Sequence, residues 1–282
     1  MATSTKLISN EEILRKYLPN AFAAVKGETS LFEKLQPFLE VAEEWVKTTF
    51  TSESTFNTIV GYADTNVIKT LTARIVVAEA FRCAIPSLDL VLTPNGFGTV
   101  GNNNVTPASK PRVDRLIGSM TSLRDDAIGL LLVDIVSASK WSNSKQAEFF
   151  GATLFPNLDI VTAAGSYSGS AWDRYLELRL KVIDIEDSLA EDFFSPELMT
   201  VLRQRVLAHN LRTVDETVVS AIKAQIIAVI RSENINMRKM IYIVNFIRDN
   251  ADSFPEWHNS DTAKLFSPPI FRNKKESPGY FF

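Results

Sequence analysis

Residues 67–85 constrain this chain more than any other stretch. They are apolar almost all round a helix, and the charges of Lys69, Arg74, Glu79 and Arg82 are scattered rather than gathered on one face. A helix apolar on most sides has to be covered on most sides, which places it in the middle of a helical bundle. Pro86 is expected to end it. It is not a membrane span: it carries four charges, and a span needs roughly 20 mostly apolar residues.

Helical spacing recurs on both sides of this stretch. Ser9-Asn10-Glu11-Glu12 reads as a capped start for a short helix ending before Pro19. Leu31, Leu35, Phe38, Leu39, Ala42 and Val46 form one apolar face, with Pro37 expected at a helix's first position and Trp45 at the border of that face. Residues 51–66, rich in Ser, Thr and Asn, read as a loop. One long helix, or two broken near Gly118, is expected from about residue 110 to Val136. Residues 158–164 fit a strand or a helical turn. Further helices are expected from Trp172, after the strong Ser195-Pro196-Glu197 start, from Asp215-Glu216, and over 237–250. The fold class is therefore mainly α, a multi-helix bundle. Leu71-Thr72-Ala73-Arg74-Ile75-Val76-Val77 is similar to Ile222-Lys223-Ala224-Gln225-Ile226-Ile227-Ala228, which suggests two related helical halves. The expected organisation is an N-terminal half (1–140), a C-terminal half (141–261) and an extended arm (262–282).

Residues 93–109 break the helical pattern with three glycines and three consecutive asparagines. A small β-hairpin near 88–105 is expected, from a strand around Leu88 to Leu92, a partner at Thr99-Val100 and Asn104-Val105, and glycines at the turn. Gly96-Phe97-Gly98-Thr99-Val100-Gly101 spells a dinucleotide fingerprint. That fingerprint needs a helix to open directly after the glycines, and alternating strands and helices around it. Here Asn102-Asn103-Asn104-Val105-Thr106-Pro107 follows instead, so no nucleotide and no other cofactor is expected.

Other motifs point to no chemistry. Ser137-Ala138-Ser139-Lys140 and Ser142-Asn143-Ser144-Lys145 match S-x-x-K but lack the companion motifs of that enzyme class. Gly165-Ser166-Tyr167-Ser168-Gly169 has tyrosine where a nucleophile elbow needs serine. His209 and His258 have no partners at metal-ligand spacing, and no metal site is expected. Asp184, Glu186, Asp187, Glu191 and Asp192 read as a solvated helix face. The lone Cys83, among Ala80, Phe81, Ala84 and Ile85, reads as a small buried hydrophobe. A net charge of −3 does not favour nucleic-acid binding, although Arg203, Arg205 and Arg212 could face an acidic partner, and Arg272, Lys274 and Lys275 charge the arm.

Tyr17-Leu18-Pro19-Asn20, the run from Leu31 to Leu39, Ala42-Glu43-Glu44-Trp45, and Thr93-Pro94-Asn95-Gly96-Phe97-Gly98 followed by Pro107-Ala108-Ser109-Lys110 resemble an uncharacterised family of gut bacteria and their phages. The resemblance implies a phage or prophage setting and carries no established activity or catalytic residues. In that setting the chain is expected to be a structural interaction protein without enzymatic activity, a head–tail connector or adaptor that binds other protein subunits as a homo-oligomer or on a phage particle. It would be found in the cytoplasm or in the virion, and not in a membrane. The expected partner-binding residues are Phe97, Asn102, Asn103 and Asn104 on the projecting loop, and Tyr280, Phe281 and Phe282 on the arm. The alternative is an enzyme or small-ligand binder with a site between the two halves.

Overall fold

The computed structural model describes residues 6–18, 29–88, 90–93, 96–99 and 109–266, with 90–93 and 96–99 given by backbone alone. They are mainly helical and form two compact units, Met1–Leu178 and Arg179–Phe282.

The first unit starts with α1 (Glu11–Tyr17), capped by Asn10, whose side chain accepts the Ile13 N–H. α2 (Leu31–Val46) opens on a capping box between Ser30 and Glu33. Pro37 lies inside α2 and not at its start. Burial of Leu35, Leu39, Ala42 and Val46 on both sides of the proline holds the helix together against an interruption that costs about 3 kcal/mol. α2 runs into a π-turn, Lys47–Thr51. It closes where the Ser52 N–H reaches the Lys47 carbonyl (2.9 Å). Ser52 has φ 70° and ψ 158°, a conformation close to glycine-only, and its hydroxyl accepts the Thr55 N–H to cap α3 (Glu53–Val60). The expected loop over 51–66 is thus half helix. Its serines and threonines serve as caps, while Phe56, Ile59 and Val60 bury at helical spacing.

α4 (Val67–Leu88) is the expected central helix, with twelve of its residues buried. It continues two residues past Pro86, which falls in the last turn. Cys83 is exposed, not buried, because it shares the flank of Glu79 rather than that of Ala84. β1 (Leu90–Thr93) pairs antiparallel with β2 (Gly96–Thr99), with Leu92 opposite Phe97. Gly96 and Gly98 therefore lie in a strand rather than at the turn, and the expected partner residues Val100, Asn104 and Val105 lie outside the described residues. α5 (Lys110–Asp134) is continuous through Gly118 and buries nothing before Arg124. After a 3-10 turn, Ile135–Ser137, come Trp141, α6 (Lys145–Gly151) and α7 (Asp159–Ala163). α8 (Ala171–Leu189) follows, its first turns completing the first unit.

In the second unit α8 runs into a π-turn, Ala190–Phe194. Ser195 (φ 64°, ψ 147°) then caps α9 (Pro196–Leu207) by accepting the Leu198 N–H. α10 (Thr213–Ile230) and α11 (Met237–Asp249) follow, then a 3-10 turn, Ala251–Ser253, and two short helices, α12 (Pro255–His258) and α13 (Asp261–Leu265). The start of the expected arm, 262–265, is thus part of α13, because Ser260 caps that helix and Thr262 and Ala263 are buried.

The same construction appears in both units. A helix runs into a π-turn, a serine of positive φ closes the turn, and a second helix departs. Trp141 Nε1–H donates to the Phe50 carbonyl (2.7 Å), and Trp257 Nε1–H donates to the Phe193 carbonyl (2.8 Å). Three residues after each tryptophan a buried serine, Ser144 or Ser260, caps a short helix. From that helix Gln146 donates to the Thr48 carbonyl (2.8 Å), and the Thr262 hydroxyl to the Glu191 carbonyl (3.4 Å). The rings of Phe50 and Phe150 lie 6.3 Å apart, those of Phe193 and Phe266 6.2 Å apart. Each π-turn is also preceded by a buried glutamate, Glu43 or Glu186.

The units differ in the helices between these features. α4 and α5 have 22 and 25 residues and are joined through 89–109, whereas α10 and α11 have 18 and 13 and are joined by 231–236. The first unit thus carries an extra length of paired helix with β1 and β2 at its end.

Candidate functional site

A polar depression of about 640 Å³ in the first unit lies among α4, α5 and the start of α8. Trp45, Arg82, Ser122, Ser170 and Asp173 are among its walls. Arg124 forms its floor at 5% exposure. One guanidinium nitrogen meets Glu79 at 2.8 Å, two reach Asp125 (2.7 and 2.8 Å), and Nη2 donates to the Ser170 hydroxyl (2.8 Å). The guanidinium also lies 5.6 Å from the centre of the Trp45 ring. Asp125 uses its other oxygen to accept the N–H groups of Ala171 and Trp172 at the start of α8 (2.6 and 3.3 Å). Arg82 completes the cluster with two bonds to Glu79 (2.7 and 2.9 Å).

The electrostatics are those of a clamp. Burial alone would raise the pKa of Glu79, but the hydrogen bonds and charges of Arg82 and Arg124 outweigh it and hold the carboxyl down at about 2. The Glu79 hydrogen bonds in turn raise the pKa of Arg82. Two cations and two anions neutralise each other. A carboxylate held ionised cannot serve as a general acid near neutral pH. Cys83 sits beside this cluster with its thiol 3.4 Å from Glu79, and burial followed by the Glu79 charge pushes its pKa up, away from the thiolate.

A second depression of about 460 Å³ in the first unit is bordered by the exposed apolar side chains of Leu130, Val133 and Tyr167, with Leu158 beside Gly129.

The other expected charge sets are also engaged in structure. Of the acidic cluster on α8 and the following π-turn, Glu186 is fully buried and bonds Arg203 Nε at 2.7 Å, while Asp187 reaches Arg203 at 3.2 Å. Asp184, Glu191 and Asp192 are exposed. Arg205 and Arg212 both bind the buried Asp215, which also accepts the Arg212 N–H (3.0 Å). Burial raises the pKa of Asp215, the Arg212 bonds and the Arg205 charge lower it, and the net direction is down. Glu43 accepts the Leu7 N–H (3.0 Å), and burial leaves its pKa raised. Among the described residues no group of three or more His, Cys, Asp or Glu is placed to hold a metal ion. Among them, no helix is long and apolar enough to cross a membrane.

Of the expected partner-binding residues, Phe97 lies on β2; Asn102, Asn103, Asn104, Tyr280, Phe281 and Phe282 lie outside the described residues. Sequence reasoning missed the Glu79–Arg82–Arg124–Asp125 cluster. Part of its signal lay in Glu79 and Arg82, charges on a helix expected to be apolar almost all round.

The fold and the site together define a mainly helical protein of two similarly built units, in which the buried Arg124, Asp125, Glu186 and Asp215 are paired within their own unit. The chain belongs to a family of unknown function, DUF6712, whose model matches residues 18–149 and 215–267. No curated protein and no solved structure matches the chain.

Proposed function

We propose that this chain is a structural, protein-binding subunit of phage or prophage origin, with the role of a head–tail connector or adaptor, and that its two units arose by duplication of one helical module. The recurring tryptophan-to-π-turn hydrogen bond carries this reading. Both copies commit the same indole, serine cap and aromatic pair to holding helices in place, the use expected of a scaffold. The ion clusters support it as well, since their charges are paired with one another. The phage setting is supported by the resemblance carried in residues 93–98 and 107–110. Partner contacts are assigned to Phe97 and Asn102 to Asn104, which lie between α4 and α5 in the sequence, and to Tyr280, Phe281 and Phe282.

Light scattering across a concentration series tests the assembly. The full chain is expected to form a discrete oligomer, alone or with particle proteins. Removal of 274–282, or alanine at Asn102, Asn103 and Asn104, is expected to weaken it. A monomer at every concentration, unchanged by either alteration and binding no particle protein, counts against the proposal.

A second reading is favoured by the depression beside Arg82, Ser122 and Asp173, which has the volume and polarity to take a small polar ligand. Thermal-shift screening with nucleotides, sugars and carboxylates separates the two readings, because a saturable shift abolished by Arg82→Ala is not expected of a scaffold.

A further inference from the structure

In the first unit the segment after Trp141 continues beyond Phe150 to Leu154 and Phe155, which are 0% and 3% exposed. The Phe155 carbonyl accepts the Tyr175 hydroxyl at 3.1 Å. The second unit matches this stretch at five of the ten positions from Trp141 to Phe150. Trp141, Asn143, Ser144, Ala147 and Phe150 correspond to Trp257, Asn259, Ser260, Ala263 and Phe266. Carried on in the same register, Leu154, Phe155 and Asn157 fall on Ile270, Phe271 and Asn273.

We propose that Ile270 and Phe271 seat on the Phe193–Phe266 aromatic face of their own chain, at the positions that match the buried Leu154 and Phe155 of the first unit. The segment left for a partner then begins after Asn273.

Three observations point this way. Phe266 is less buried than its counterpart: Phe150 is 0% exposed, whereas Phe266 is partly exposed and the adjacent Leu265 is 69% exposed. The rings that would receive the segment are already set, with Phe266 6.2 Å from both Phe193 and Trp257. The tether also favours the same chain, since four residues span at most about 14 Å, and the same four-residue step separates Phe150 from Leu154. Pro268 and Pro269 stand where the first unit has Ala152 and Thr153. Two prolines reduce the freedom lost on seating, and they dispense with the Thr153 hydroxyl bonds to Phe155, so the second seat is held by apolar contact. Arg272, Lys274 and Lys275 follow at once and mark where the apolar seat ends.

This inference rests on the correspondence between the units and not on any assembly, which light scattering reads separately. The test compares thermal midpoints of the full chain, Phe271→Ala, Phe271→Leu, Phe281→Ala and a chain ending at Asn273. Phe271→Ala is expected to lower the midpoint by roughly 5–15 °C, with Phe271→Leu recovering most of it. At a dilution where light scattering shows the monomer, so that assembly does not enter, Phe281→Ala and the chain ending at Asn273 are expected to stay within about 2 °C. Amide exchange in the 190–194 π-turn should rise in Phe271→Ala alone. An unchanged midpoint in Phe271→Ala overturns the proposal. So does a loss that deepens on dilution, because the seat would then belong to another copy.

Discussion

Trp141→Phe and Trp257→Phe probe the feature on which both units depend. Each indole is 1% exposed and its N–H donates to a π-turn carbonyl, at 2.7 Å in the first unit and 2.8 Å in the second. Phenylalanine keeps most of the apolar contact but removes the donor. The carbonyl of Phe50 or Phe193 is then buried without this partner, which costs about 1–3 kcal/mol. The smaller ring leaves a void worth roughly another 1 kcal/mol. Each variant should therefore lose about 2–4 kcal/mol, and the two losses should be similar. Hydrogen exchange read by mass spectrometry localises the effect, as a single unfolding free energy is not defined when two units unfold separately. Trp141→Phe should speed exchange over 47–60 and leave 190–206 unchanged; Trp257→Phe should do the reverse. Losses below about 0.5 kcal/mol, or exchange rising equally in both places, would refute the claim that these bonds hold equivalent positions.

The ion cluster makes a second target. Arg124→Met removes a buried cation and leaves Glu79 and Asp125 short of it, so urea unfolding of the first unit should lose about 3–5 kcal/mol, with the Ala171 amide exchanging faster. For Glu79 the folded pKa, about 2, lies below the ordinary 4.5. Its stabilising contribution is therefore present above 4.5 and lost as pH falls toward 2; Glu79→Gln should flatten that part of the stability profile, and an unchanged slope would speak against the pairing. Cys83 is exposed but its pKa is raised above 9.0, so its labelling by a thiol reagent should still accelerate with pH beyond 9; a plateau below that value contradicts the assignment.

Much of the helical architecture was legible in the sequence because burial repeats at the helical period. The starts at Asn10, Ser195 and residues 213–216 were legible because their capping chemistry is local. The π-turns were not. They are set by five-residue hydrogen bonds closing onto Ser52 and Ser195, and nothing in Lys47–Thr51 or Ala190–Phe194 announces that spacing. α3 was hidden because its serines and threonines resemble loop residues until their hydroxyls are seen to cap. Similarity between the halves was sought in apolar helices, where it is weak information. A closer similarity lies in Trp-x-Asn-Ser-x-x-Ala, where the tryptophan and serine have fixed bonding duties. The cleft escaped notice because it joins Glu79, Arg124 and Ser170, and only the fold brings those positions together.

Ser52 and Ser195 each occupy a backbone conformation that costs a non-glycine residue about 1–3 kcal/mol, yet each also supplies the hydroxyl that caps the next helix. Glycine would relieve the torsion and forfeit the hydroxyl bond; alanine would keep the torsion and forfeit it too; threonine would add a branched β-carbon to an already crowded backbone. Few replacements satisfy both demands. A saturation library at these two sites should therefore collapse to serine and glycine, while the flanking exposed positions Ser54 and Glu197 accept a wide alphabet.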